Sequence, residues 1–371
     1  MPAPGLAVYF GSFLSSEGFI SEPGENGENA PSARQRAPGR TPWPPLSKPA
    51  YPMPAFNPFS EIPPQHLLIT GGTGFIGTAL ITQLLEAGHQ VRVLSRHPVR
   101  ANAGWNGKVR CEADLPALLT DATLAPLDAV INLAGAPVVG WPWSGARQQV
   151  LLASRVGTTQ AVLAAFAKAS AANPRWRAPG VWIQASAIGF YGVRDPSESL
   201  TESSLPGTGF MSELCRAWEA AAWPASQTGA RQVVLRLGVV WGQGGALPPL
   251  LMPIRLGLGG RVGSGRQIVS WIHLQDVLRL IARSLSTPAM RGTYNAVAPQ
   301  PISQAGFVAT AAQLLGRPDW LPLPAAPLRW ALGEMAQIFV DGQRVVPERL
   351  LTEGFHFDFP DAASALRDLT G

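Results

Sequence analysis

Lysine is nearly absent. Lys48, Lys108 and Lys168 are the only three in 371 residues, and the other basic side chains are arginines scattered along the chain. The net charge of +5 therefore forms no stripe or cluster, which argues against a nucleic-acid partner. Cysteine is as scarce. Cys111 and Cys215 cannot build a disulfide framework or a thiol metal site, and two thiols suit a reducing, cytoplasmic setting. The five histidines show no metal-ligand spacing. No uncharged apolar stretch reaches the roughly 18 residues of a bilayer span, so no membrane partner is expected.

What is present fits a folded globular chain: 46% apolar and 14% charged residues. Residues 1–64 stand apart, with 14 of the 36 prolines and no sustained period. Such a segment buries too little surface to offset chain entropy. It is expected to be disordered, or an upstream extension with Met53 as the natural start. The apolar run from Gly5 to Leu14 lacks the basic flank and cleavage pattern of a signal peptide.

From residue 65 the pattern is regular. Strands are expected at His66–Thr70, Gln90–Leu94, Val109–Cys111, Ala129–Leu133, Val181–Ala185 and Gln232–Leu237. Helices are expected over Phe75–Ala87, Ser144–Ala169 and Met211–Ser226. Strands alternating with helices imply an α/β, Rossmann-type doubly wound parallel sheet. Beyond Gly238 the chain is less periodic and richer in Gly and Pro, as expected of a smaller substrate lobe. Further helices are expected at Ser303–Leu315, Pro327–Gln337 and Ala362–Leu369. The domain expectation is a nucleotide-binding unit over 65–300 and a small C-terminal domain over 301–371.

The turn after the first strand reads Thr70-Gly-Gly-Thr-Gly-Phe-Ile-Gly77. Gly71 permits a tight turn, Gly74 lets backbone approach a pyrophosphate, and Gly77 permits close helix–sheet packing. Backbone at Thr73, Phe75 and Ile76 then faces the phosphates at a helix N-terminus. The strand–turn–helix context makes this a dinucleotide-binding motif. The second strand ends at Ser95-Arg96-His97. No carboxylate stands there to hold a ribose 2′-OH, and Arg96 suits a 2′-phosphate, so NADP(H) is expected over NAD. Asn132, Ala134 and Gly135 end the fourth strand, where small residues let backbone lie against the cofactor. Asp114 is a candidate cap for the adenine pocket.

These pieces, with Ser186 after the fifth strand and Trp271-Ile-His-Leu-Gln-Asp276, resemble the extended short-chain dehydrogenase/reductases. Further motifs narrow the resemblance to an atypical branch known as "epimerase family" proteins, which carry a C-terminal domain of unknown function. They are Ser154–Thr159, Ser186–Gly192, Trp218-Glu219, Gly257–Gly260, Gly263–Gln267, Leu332–Ala336, Gly342–Val345 and Gly354–Phe357. The resemblance spans about residues 65–370. It implies a Rossmann fold and NADP binding, with no particular substrate.

It also exposes a gap. The superfamily's proton donor is a Tyr followed four residues later by Lys. Beyond the N-terminal segment the tyrosines are Tyr191 and Tyr294, and the residues four further on are Asp195 and Ala298. Met211 and Cys215 stand where the pair is expected. Sugar-nucleotide members carry an arginine clamp where Val269-Ser270-Trp271 stand here, with Arg266 as the nearest substitute. Two readings stay open. In one, an NADP-dependent oxidoreductase or epimerase acts on a small molecule, with Ser186 polarising a carbonyl and Tyr191 as acid or base. Glu219 and Cys215 are lesser candidates. In the other, a non-catalytic NADP(H)-binding sensor or scaffold uses Tyr191 only for packing. Trp141, Trp143, Arg147, Arg155, Arg236, Trp271 and His273 are candidates for lining a substrate cleft, and Asp276 is expected to cap the following helix.

Overall fold

The computed structural model describes residues 56–119, 126–138, 143–324 and 341–371. Seven parallel strands make the central sheet: β1 (His66–Thr70), β2 (Gln90–Leu94), β3 (Arg110–Glu112), β4 (Ala129–Asn132), β5 (Val181–Ala187), β6 (Arg231–Leu237) and β7 (Gly292–Ala296). Their spatial order is β7-β6-β5-β4-β1-β2-β3. The order reverses between β1 and β4, which opens a crevice at the carboxyl ends of those strands. Strands β1 and β4 are buried along almost their whole length, as expected where helices cover both faces.

Helix α1 (Phe75–Glu86) leaves the crevice after β1 and stops where Gly88 turns the chain at φ +83°. Helix α2 runs over Gly145–Ala172 with a π-helical turn at Ala153–Gly157. At 28 residues it is long and apolar enough to cross a membrane by composition alone. Its Val162 and Phe166 instead pack with Leu68, Val130 and Trp182 of the sheet. Helix α3 (Phe210–Ala222) follows β5 and ends short of the expected Ser226, because Pro224 opens a separate turn of helix.

The second lobe has its own core. Helix α4 (Leu247–Arg255), helix α6 (Gln304–Leu315) and the terminal helix α7 (Ala362–Thr370) enclose Trp241, Trp271, Phe307 and Leu366. Helix α5 (Leu274–Ser286) returns to the sheet and leads to β7. The lobe therefore draws on residues 239–271 as well as the chain beyond 300. Residues 325–340, including the helix expected at Pro327–Gln337, lie outside the described residues, as do residues 1–55 and Trp141.

Two expectations are corrected. The folded unit begins before residue 65: Phe59 is 0% and Ile62 6% exposed, and the Phe59 ring meets His89 edge-on. The sheet also has a seventh strand, β7, paired with β6 from Gly292↔Val233 to Ala296↔Leu237.

Candidate functional site

The cradle after β1 has the geometry of a dinucleotide site. Gly71 sits at φ +70°, and a Cβ there would lie 2.4 Å from the Leu133 carbonyl oxygen. A Cβ at Gly77 would lie 2.3 Å from the Gly71 oxygen, so helix and turn touch through backbone. At Gly74 a Cβ would meet only the Gly71 oxygen, at 3.2 Å, which leaves its other side open. Gly74 is also the N-cap of α1 and offers no side chain to the first N–H groups. Free N–H groups and the helix dipole favour an anion there. Thr73 is exposed, and Ile76 is half-buried at the first turn. The Phe75 ring lies against Gly242 and Gly245, where a Cβ would come within 2.5 or 2.7 Å of it.

Arg96 is exposed at the end of β2, next to Ser95, whose hydroxyl accepts the His97 N–H at 3.2 Å. The Arg96 guanidinium therefore stands in solvent at the strand end. Asp114 is exposed just after β3.

The end of β4 departs from expectation. Asn132 is 0% exposed, and its Nδ2 donates to Thr159 Oγ1 at 2.8 Å and Gln184 Oε1 at 2.9 Å. It ties β4 to β5 and α2 and does not face the crevice. Ala134 is small and buried, and its N–H bonds Thr70 Oγ1 at 3.2 Å. Gly135 makes room for protein: a Cβ would lie 2.9 Å from Arg155 Cζ. Arg155 is 8% exposed, donates to the Ala136 and Leu151 oxygens at 3.1 and 3.3 Å, and lies over the Trp218 ring. Burial pulls its pKa down. The π turn explains how consecutive residues reach one loop, since Ser154 Oγ also accepts the Ala136 N–H at 3.0 Å.

A chain of polar side chains runs inward from the end of β5. Ser186 Oγ donates to Glu219 Oε1 at 2.6 Å. Arg236, opposite Ser186 on β6, donates to both Glu219 oxygens at 2.9 Å each. Its Nη1 donates to the Tyr191 hydroxyl at 3.0 Å, and that hydroxyl donates to Asn295 Oδ1 at 2.6 Å. Asn295 Nδ2 ends the chain on the Val346 oxygen at 2.9 Å. The Arg236 guanidinium also lies 3.4 Å over the Phe190 ring. Burial acts to lower its pKa, but the bonds and charge of Glu219 outweigh burial and hold it above the ordinary value.

Tyr191 is therefore placed away from the crevice. It is 0% exposed, its oxygen both donates and accepts within the protein, and burial raises its pKa despite Arg236. Cys215 is 2% exposed and pushed up to about 12 by burial, with Met211 beside it beneath Gly189. Neither thiol nor phenol is poised to move a proton.

Other candidates separate. Trp143 meets Phe210 edge-on near the start of α3, and Arg147 bonds the Pro137 oxygen. Trp271 stacks on Trp241 at 4.2 Å inside the second core, away from any cleft. His273, not Asp276, caps α5: its Nδ1 accepts the Gln275 N–H at 3.1 Å. Asp276 is 0% exposed and accepts the N–H groups of Asp358 and Phe359 at 2.7 and 3.1 Å. Arg266 lines a 520 Å³ cavity with Arg194, Asp195 and Asp341; neither Ser186 nor the glycine cradle borders it.

Comparison with known proteins agrees with this architecture. Residues 67–297 match the model of the NAD dependent epimerase/dehydratase family, and residues 323–369 match a domain of unknown function, DUF1731. The bovine epimerase family protein SDR39U1 is 39% identical over 82% of this chain and 99% of its own length. The Bacillus subtilis epimerase family protein YfhF is 34% identical over 82% of this chain and 97% of its own. The crystal structure of human SDR39U1 with NADPH superposes with a TM-score of 0.71 at 35% identity, covering 82% of this chain and 98% of that one. With its crevice, its glycine cradle and these relatives, the chain belongs to the NAD dependent epimerase/dehydratase family.

Proposed function

We propose that this protein binds NADP(H) and acts as an NADP-dependent oxidoreductase or epimerase on a small molecule. The observation that carries the reading is the cradle of Gly71, Gly74 and Gly77, closed against backbone on two sides and open on the third. Gly71, Gly74 and the α1 N-terminus would hold the pyrophosphate, and Arg96 would pair with the 2′-phosphate. The structure of human SDR39U1 with NADPH supports the choice of cofactor. When bound, the nicotinamide supplies a site that takes or gives hydride. Ser186 stands at the carboxyl end of β5, but at 2% exposure its hydroxyl is committed to Glu219 at 2.6 Å.

One observation favours a second reading, an NADP(H)-binding sensor or scaffold without chemistry. The phenol of Tyr191 is sealed, and Met211 and Cys215 occupy the helix where the superfamily carries its proton donor. The two readings part in one experiment. Protein loaded with NADP or NADPH is incubated with a cell metabolite extract, and metabolites are followed by mass spectrometry. Cofactor-dependent conversion of a metabolite supports the enzyme. Tight cofactor binding with no converted metabolite across repeated extracts supports the sensor.

A further inference from the structure

Apolar side chains gather in solvent at one end of the second lobe. Among the described residues twelve large apolar side chains are exposed, and five of them lie in two adjoining segments: Met252, Leu256 and Leu258 in one, Trp320 and Leu321 in the other. Helix α4 buries Leu251 and Ile254, so Met252, Arg255 and Leu256, spaced i, i+3 and i+4, share its outer face. A Schellman turn ends the helix: Gly257, at φ +75°, donates to the Ile254 oxygen at 2.9 Å, and Leu258 donates to the Pro253 oxygen at 2.9 Å. The apolar residue after such a turn commonly packs back on the helix. Leu258 instead stays 52% exposed. The chain then runs along the second segment, where the Leu321 N–H donates to the Gly259 oxygen at 3.0 Å and Pro318 lies against Gly257. Every residue from Gly316 to Pro322 is exposed.

We propose that this end of the lobe rests on the surface of an anionic phospholipid bilayer. Charge chooses between the occupants open to an exposed apolar surface. The two segments, residues 252–261 and 317–323, carry Arg255, Arg261 and Arg317, all exposed, against Asp319 alone. A second copy of the chain would bring two such basic sets into one contact, where like charges repel. An anionic bilayer answers both features. Trp320, Leu256 and Leu258 enter the boundary between headgroups and acyl chains, while the guanidinium groups stay level with the phosphates. Arg261 and Trp320 line one 400 Å³ cavity with Ala305, Val308 and Ala309 of α6, so a headgroup phosphate can reach the guanidinium beside the indole. A contact of this kind needs no spanning segment.

The test uses the full chain and vesicles of phosphatidylcholine, alone or mixed with phosphatidylglycerol, with binding read by co-flotation. One variant combines Leu258→Ser with Trp320→Ser, and a second combines Arg255→Gln, Arg261→Gln and Arg317→Gln. Trp223→Ser is the control, since Trp223 is 63% exposed at the end of α3, in the sheet domain. The expected result is saturable binding to the mixed vesicles and none to phosphatidylcholine alone. Salt should release the protein as it rises from about 0.1 to 1 M, where the Debye length shrinks from about 10 to 3 Å. The arginine variant should bind about 100-fold more weakly, at about fivefold per arginine, and the apolar variant about tenfold more weakly. Trp223→Ser should bind as wild type does. Thermal unfolding checks that each variant is folded, and if the apolar variant is not, the arginine variant decides. Wild-type protein that binds no mixed vesicles overturns the proposal. Binding left unchanged by folded variants overturns it too, because another surface then carries the contact. A wild-type dimer in sedimentation that Leu258→Ser with Trp320→Ser turns into a monomer overturns it in favour of a second copy.

Discussion

Tyr191 and Arg236 show how one buried hydroxyl serves packing. The Tyr191 oxygen accepts from Arg236 and donates to Asn295, so removing it strands two polar groups in the interior. An unmet buried partner costs about 1–3 kcal/mol. Tyr191→Phe is expected to lower stability by about 2 kcal/mol in denaturant unfolding. Cofactor-dependent turnover is expected to survive this variant, because the phenol is bonded only within the protein; loss of turnover in a folded Tyr191→Phe protein would return the phenol to the chemistry. The tight turn at Gly71, the uncapped helix start at Gly74 and the close packing at Gly77 were legible because they are local. The contacts of Asn132 and Gly135 were not, for the opposite reason. Their neighbours Thr159, Gln184 and Arg155 come from elsewhere in the chain, and only the fold shows that they serve α2 and β5 before any ligand.

At the scale of elements, the last segment of the chain is strapped to the start of α5. Asp276 accepts two backbone N–H groups of that segment, and the Phe359 ring lies 3.8 Å from the His273 ring. His273 Nε2 comes within 3.3 Å of Asp368 on α7. Burial holds His273 down to about 4 and pushes Asp276 up to about 6. The two act on stability with opposite signs. Between pH 4 and 6.5 the unfolded histidine binds more protons than the folded one, so its contribution to stability rises with pH. Between pH 3.8 and 6 the folded aspartate binds more, so its contribution falls as pH rises. Relative to wild type, the Tm of His273→Gln should therefore change less favourably as pH rises from 4 to 6, and that of Asp276→Asn more favourably. Changes of the same sign relative to wild type in both variants, measured by calorimetry, would refute this pairing.

The seventh strand was not legible at this scale. Gly292-Thr-Tyr-Asn-Ala296 has only two strand formers, Thr293 and Tyr294, flanked by Gly and Asn, and it is a strand because β6 pairs with it. The π turn was hidden too, since Ser154–Thr159 reads as ordinary helix until the Ala136 loop is present to receive Ser154 and Arg155.

The whole molecule joins a sheet domain, whose core includes α5, to a second core built without it, with an N-terminal entry that composition concealed. Proline-rich text up to residue 64 reads as unfolded, yet Asn57 Nδ2 bonds the Gln83 oxygen at 2.8 Å and Phe59 is fully buried. Phe59→Ala should lose about 3 kcal/mol in denaturant unfolding, through the lost burial and the cavity left behind. Equal stability of Phe59→Ala and wild type would place that segment outside the cooperative fold. The alternation of buried strands and helices from His66 to Leu237 was plain in the sequence, because each strand is a short apolar run between turn residues. The second lobe was only outlined, since its core joins Trp241 and Trp271 to helices at the far end of the chain.

The central claim is that the glycine cradle and Arg96 together hold NADP(H). Titration of the purified protein with NADPH and with NADH, followed by energy transfer from tryptophan, tests it most directly. The account predicts saturable binding with NADPH favoured, and an Arg96→Ala protein in which NADPH affinity falls about tenfold while NADH affinity is unchanged, a difference of about 1.4 kcal/mol. Saturable binding with no preference, untouched by Arg96→Ala, would contradict the role of Arg96; no saturable binding of either nucleotide would contradict the site itself.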